Sequence, residues 1–144
     1  MEAFKFKLQK ILEYREKIAG ESEKKLALKL KQCNTLERKI EFIGEERQRS
    51  RMVHGKNRDL ETMQRLALYD ERLREQSYAV RGQLTKLEEE KLVLQQDYLD
   101  KLKKQKVLAN LKEVKYGQYK LERKRYEEKV LDDIIMARYE SEEN

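Results

Sequence analysis

Proline is absent from this chain of 144 residues, and only five residues are glycine. A proline inside a helix removes a backbone donor and clashes with the preceding turn, at a cost of about 3 kcal/mol. A polar chain so free of breakers is expected to be almost wholly helical. No run of about 18 apolar residues occurs, so the sequence offers no membrane-spanning helix. The opening Met1-Glu2-Ala3-Phe4-Lys5 has no hydrophobic signal core. The single cysteine, Cys33, cannot form an internal disulfide, which fits a reducing, cytoplasmic setting.

Chemistry is also missing. The one histidine, His54, falls in the expected turn, so no Ser/His/Asp set is read, and with a single cysteine beside it there is no zinc ligand cluster. No glycine-rich phosphate loop is present. Carboxylates adjoin at Glu88-Glu89-Glu90 and Asp132-Asp133, but on a two-helix framework they have no cleft in which burial could raise their pKa. No catalytic residue, metal or cofactor is expected, and the chain reads as a non-enzyme.

Charge is what the sequence has in abundance. Charged side chains make up 43% of it, with 34 basic residues against 28 acidic ones and a net charge of +6. Disorder is the rival reading of so polar a chain. The near balance of charge, the absence of proline and a repeated Leu/Ile spacing all oppose it. Hydrophobic residues are 38% and scattered, too dispersed for a globular core. A two-helix seam needs only about two apolar positions in seven.

The first helix is expected over residues 4–51. Its stripe opens with Phe4, Leu8, Ile11, Arg15 and Ile18, weakens across residues 20–25, and resumes as Leu26, Leu30, Cys33, Leu36, Ile40 and Ile43. Cys33 lies within that stripe and reads as a small buried apolar residue. The reversal is placed over residues 52–58, where His54-Gly55-Lys56-Asn57 combines residues that tolerate left-handed backbone angles. Asp59 is positioned to cap the second helix.

That second helix is expected over residues 59–140. Its stripe is Met63, Leu66, Asp70, Leu73, Ser77, Val80, Leu84, Leu87, Lys91, Leu94 and Tyr98, the strongest heptad signal in the chain. Asp70, Ser77 and Lys91 interrupt it, and polar seam residues can fix register. Beyond Tyr98 the apolar residues spread around the helix.

These spans predict an all-α fold of one domain over residues 1–144. It is a long antiparallel two-helix coiled coil, a helical hairpin with unequal arms. The arms would be about 75 Å and about 120 Å long at 1.5 Å per residue. A fold near residue 55 sets Phe4 beside residue 105 and leaves roughly the last 35 residues projecting beyond the N-terminus. That projection exposes Leu111, Tyr119, Tyr126, Val130 and Ile134. A lone helix of this kind is marginal and adhesive, so a second copy, a fold-back or a different protein should cover it.

Residues 101–131 carry eleven Lys/Arg against four Glu, a net of +7; they include Lys101, Lys103, Lys104, Lys106, Arg123, Lys124 and Arg125. From Asp132 onward the chain turns acidic. Interleaved Tyr116, Tyr119 and Tyr126 favour a binding surface, because aromatics carry interface energy. Nucleic acid is not expected as the partner: acidic residues are mixed through the basic stretches, and no recognition module is present.

The opening Phe4-Lys5-Phe6-Lys7-Leu8-Gln9-Lys10-Ile11-Leu12-Glu13-Tyr14-Arg15-Glu16 resembles that of the bacterial flagellar FliJ proteins, which begin Phe-x-Phe, then Leu-Gln-x-Leu/Ile-Leu, then a charged helix. Length, the mid-chain break and the lysine-rich last helix with its acidic tail are similar too. The resemblance implies a small cytoplasmic component of the flagellar type III export apparatus, peripheral to the basal body at the inner membrane and not inserted in it. It implies a stalk-like antiparallel coiled coil that associates with the hexameric export ATPase and promotes its ring. It also implies contact with the cytoplasmic domain of the export gate membrane protein and handling of export chaperones. Carried onto this chain, the ring contact would use Phe4, Phe6, Leu8, Ile11 and Leu12 with Leu111, Tyr119, Tyr126, Val130 and Ile134. A homo-oligomeric structural coiled coil is the alternative, and a basic coiled-coil binder of nucleic acid is the weakest reading.

Overall fold

The computed structural model describes residues 1–54 and 59–143; of Val53 and His54 it describes the backbone alone. The protein is all-α, as its composition dictates. Helix α1 spans Gln9–His54 and helix α2 spans Leu60–Glu143, packed antiparallel, with no strand among the described residues. The second helix outruns the first, 84 residues against 46. Asp59 takes the N-cap position of α2: it precedes the first helical residue, and its carbonyl accepts the Met63 N–H at 2.9 Å. The expected reversal at 52–58 is narrower, because α1 continues through His54. Residues 55–58 lie outside the described residues.

The chain divides into two compact units: Gly20–Leu99, and Met1–Ala19 with Asp100–Asn144.

In the unit Gly20–Leu99 the seam of α1 runs through Ser22, Leu26, Lys29, Cys33, Leu36, Ile40, Ile43, Arg47 and Ser50, with Gly20 and Glu46 sheltered beside it. Steps of 4 and 3 alternate without a break, the period that keeps one seam facing a partner helix. The seam of α2 runs through Leu66, Asp70, Leu73, Ser77, Val80, Leu84, Leu87, Lys91, Leu94 and Tyr98, the stripe read from the sequence without Met63, with Thr62 and Asp97 sheltered beside it. Cys33, Ile43 and Leu73 are the buried apolar residues here. Each such side chain stabilises the pair by about 1.5–3 kcal/mol. On α1 the expected stripe needs one correction: Leu30 is 42% exposed, and Lys29 holds the seam position instead.

Lysine suits that place because of what faces it. Lys29 pairs with Glu90 on α2. Ser22, 2% exposed in the stretch where the stripe is expected to fade, donates its hydroxyl to Asp97 Oδ2 at 3.2 Å. Arg47 donates from Nε and Nη2 to the two oxygens of Asp70 at 2.9 and 3.3 Å, while Arg51 lies 3.7 Å from the same carboxylate. Tyr69 donates to Glu46 at 3.0 Å, and the carboxylate raises the phenol's pKa. A sliding α2 would break these polar links together, whereas a Leu seam alone tolerates slippage by a heptad.

The Asp70 carboxyl is held below its ordinary 3.8, first by the hydrogen bond from Arg47, against desolvation, and with further help from the charges of Arg47, Arg51 and Arg74. A depressed folded pKa contributes stability above the unfolded value, lost as pH falls through the lower folded value. Asp70→Asn should therefore lower the urea midpoint modestly at neutral pH, the pair being part-exposed. The difference from the parent should vanish in buffer acidic enough to protonate the folded carboxyl. Equal deficits at both pH values would show that packing, not charge, is lost.

Candidate functional site

The unit formed by Met1–Ala19 and Asp100–Asn144 holds the candidate surface. Its paired part continues the heptad, with Leu12, Arg15 and Ala19 sheltered on α1 and Lys101, Gln105, Leu108 and Lys112 on α2. Leu12 and Ala19 are each 3% exposed. Ile11, read from the sequence as a stripe residue, is 47% exposed, and the seam passes one residue on at Leu12.

Residues ahead of α1 are not helical, contrary to the expected start at Phe4. Phe4, Phe6 and Leu8 are half-buried while Lys5 and Lys7 are exposed, the period of two of an extended segment. The Gln9 N–H closes the turn into α1 by donating to the Phe6 carbonyl at 3.1 Å. Ser22 faces Asp97 and Lys29 pairs with Glu90, and counting on in the same register sets Phe4 near residue 115, about ten residues past the level that a fold near residue 55 implies. Phe4 meets Tyr116 and Tyr119, at ring-centroid distances of 5.2 and 5.5 Å, rather than residue 105. Tyr119 donates its hydroxyl to the Glu2 carbonyl at 2.7 Å. Lys120 Nζ lies 4.5 Å from the Tyr116 ring centroid, within cation–π range.

Beside this aromatic corner runs a cleft of about 460 Å³. Phe4, Phe6, Leu8, Leu111 and Tyr119 line it, with Lys5, Lys7 and Lys115 as its cations and Glu122 as its one acid. An apolar floor under a cationic rim suits an acidic amphipathic segment.

Past Tyr119, α2 runs on without cover. Every residue from 120 to 143 is exposed, about 24 residues or some 36 Å of helix rather than the expected 35 residues. Tyr126, Val130 and Ile134 follow one another at helical spacing and prolong the face on which Tyr119 lies. Tyr126 is 50% exposed and Ile134 48%. Leu131, Ile135 and Tyr139 widen the apolar surface around the helix.

Of the sequence-derived ring contacts, then, Phe4, Phe6, Leu8 and Tyr119 are gathered into the corner and cleft with Leu111. Tyr126, Val130 and Ile134 form the open face. Leu12 is buried within the helix pair, so its side chain is not presented to any partner. Of the basic residues, Lys103, Lys104, Lys106, Lys124 and Arg125 are exposed, Lys101 is sheltered, and Arg123 bonds Glu127 on its own helix at 3.1 Å. Tyr116, already singled out in the sequence with Tyr119 and Tyr126, takes its place in the corner, and the structure adds Lys115 and Lys120 to the surface. Two sequence signals point there: the alternation Phe4-x-Phe6-x-Leu8, and the i, i+4 step from Tyr116 to Lys120.

No group of His, Cys, Asp or Glu among the described residues could hold a metal ion, and no described helix is long and apolar enough to cross a membrane. The molecule belongs to the class of antiparallel two-helix proteins in which one helix carries an unpaired end with exposed apolar side chains. No family model, curated protein or solved structure matches the chain.

Proposed function

We propose that this protein is a non-enzymatic, stalk-like coiled coil of a bacterial flagellar type III export apparatus, working in the cytoplasm at the basal body. In this reading it associates with the hexameric export ATPase and promotes assembly and activity of its ring. Contact with the cytoplasmic domain of the export gate and with export chaperones belongs to the same proposal. The observation that supports it most is the end of α2, apolar on the side of Tyr126, Val130 and Ile134 and uncovered from Lys120 onward. A stiff helix with such an end can enter a ring while its partner helix stays outside. The opening residues that resemble the FliJ proteins now include a structural role: Phe4 and Phe6 build the corner from which the free end departs.

The test is ATP hydrolysis by the flagellar export ATPase of the same organism, with and without the protein, together with sedimentation of the mixture. Stimulation accompanied by a faster-sedimenting ring is the expected result. Absence of both stimulation and co-sedimentation would overturn the proposal.

A further inference from the structure

From Lys112 onward α2 carries charges of opposite sign in two blocks, the first beginning in the paired part and the second wholly in the uncovered end. Residues 112–125 hold Lys112, Lys115, Lys120, Arg123, Lys124 and Arg125 against Glu113 and Glu122, six minus two, a net of +4. Residues 132–143 hold Asp132, Asp133, Glu140, Glu142 and Glu143 against Arg138, one minus five, a net of −4. The apolar side chains Tyr126 and Val130 lie at or just inside the boundary between these blocks. Such a segment is complementary to itself when reversed.

From this we infer that two copies of the chain pair through these ends, antiparallel, each acidic block on the other's basic block. A crossing near Glu128 sets Tyr126 of one copy opposite Val130 of the other. It also sets Arg123 opposite Asp133 and brings Glu140 to within one residue of the level of Lys115. All of these lie within about 80° of the face that Tyr119 and Tyr126 share, by the 100° advance per residue of a helix. The acidic end of each copy then reaches the lysine rim of the other's cleft, where Lys5 and Lys7 add to the cations. A parallel pair would set like charge on like charge. A two-fold axis makes the contact isologous and closed, so the assembly stops at a dimer. The dimer would hold the free end out of reach of any other partner until displaced. It rests on the charges and apolar residues of this chain and not on the export proposal.

The mass of the full-length protein in solution, by sedimentation equilibrium, tests it. Raising salt from about 50 mM to about 500 mM shortens the screening length severalfold and should weaken the dimer about tenfold or more. The double variant Asp133→Lys/Glu140→Lys, and separately Lys115→Glu/Arg123→Glu, should each be monomeric where the parent is dimeric. Mixing the two variants should restore a dimer, one copy of each. Helical content by circular dichroism should stay at the parent's level, since the substitutions fall on exposed helix. A parent that is monomeric at about 100 µM in low salt, weaker than most specific contacts, would overturn the inference. So would a dimer untouched by both sets of substitutions, or two variants that fail to pair. None of these outcomes bears on ATPase stimulation, which is read on a different protein.

Discussion

Deleting residues 120–144 should abolish stimulation of the export ATPase while leaving the paired helices folded. None of the described residues in that stretch is buried, so their removal uncovers no core. Losses confined to exposed positions usually stay within about 0.5 kcal/mol, and the unfolding midpoint should move by no more than about 2 °C. One contact does go: Lys120 over Tyr116, worth about 0.5–1 kcal/mol at an exposed site. The two proteins have to be compared in dilute solution, because a dimer stabilises its folded chains by mass action. Thermal unfolding followed at 222 nm and the hydrolysis assay separate the two effects. Undiminished stimulation by the truncated protein would remove the free end from the mechanism. A collapse of helicity would show that the end contributes to folding.

Leu12→Ala should destabilise the protein by about 2–4 kcal/mol, and Ile11→Ala by less than about 1 kcal/mol. The two positions adjoin in sequence and carry isomeric side chains. Leu12 is 3% exposed and Ile11 47%. Truncating Leu12 leaves a void between helices that cannot close over it, whereas truncating Ile11 mainly trades a methyl-rich surface for water. At about 2–4 °C per kcal/mol in a chain of this size, the melting temperatures should differ by several degrees. Similar losses at both positions would place the seam between them and undo the register described for this end of the molecule.

Legibility in the sequence differs from one element to the next. The α2 stripe from Leu66 to Tyr98 can be read directly, because its apolar residues outnumber Asp70, Ser77 and Lys91 and hold the period through them. The α1 stripe reads one residue off at Ile11 and again at Leu30. At both places an apolar residue sits beside the seam while the seam position itself is Leu12 or Lys29, and hydrophobicity alone prefers the wrong neighbour at Leu30. Ser22 escapes such a reading for the same reason: its burial makes sense only once Asp97 is known to face it. The N-terminal residues fit helical spacing, Phe4 to Leu8 to Ile11, although Phe4-x-Phe6-x-Leu8 fits an extended segment as well. Two periods share those residues, and only the neighbouring Tyr116 and Tyr119 decide between them.

The sequence by itself determined that the protein is helical, that it reverses once before its midpoint, and that its second helix outlasts the first. Those outcomes follow from local terms: no proline, few glycines, a seam at heptad spacing and more of the chain on one side of the turn than on the other. The tertiary structure decided the register, the extended N-terminus and the length of the uncovered end. Each depends on a pairing between residues far apart in the chain: Ser22 with Asp97, Arg47 with Asp70, and Phe4 with Tyr116 and Tyr119. A residue's own propensity has no information about what will stand opposite it. Contacts of that separation are decided by the packing of the two helices, and so they had to be seen in the folded molecule.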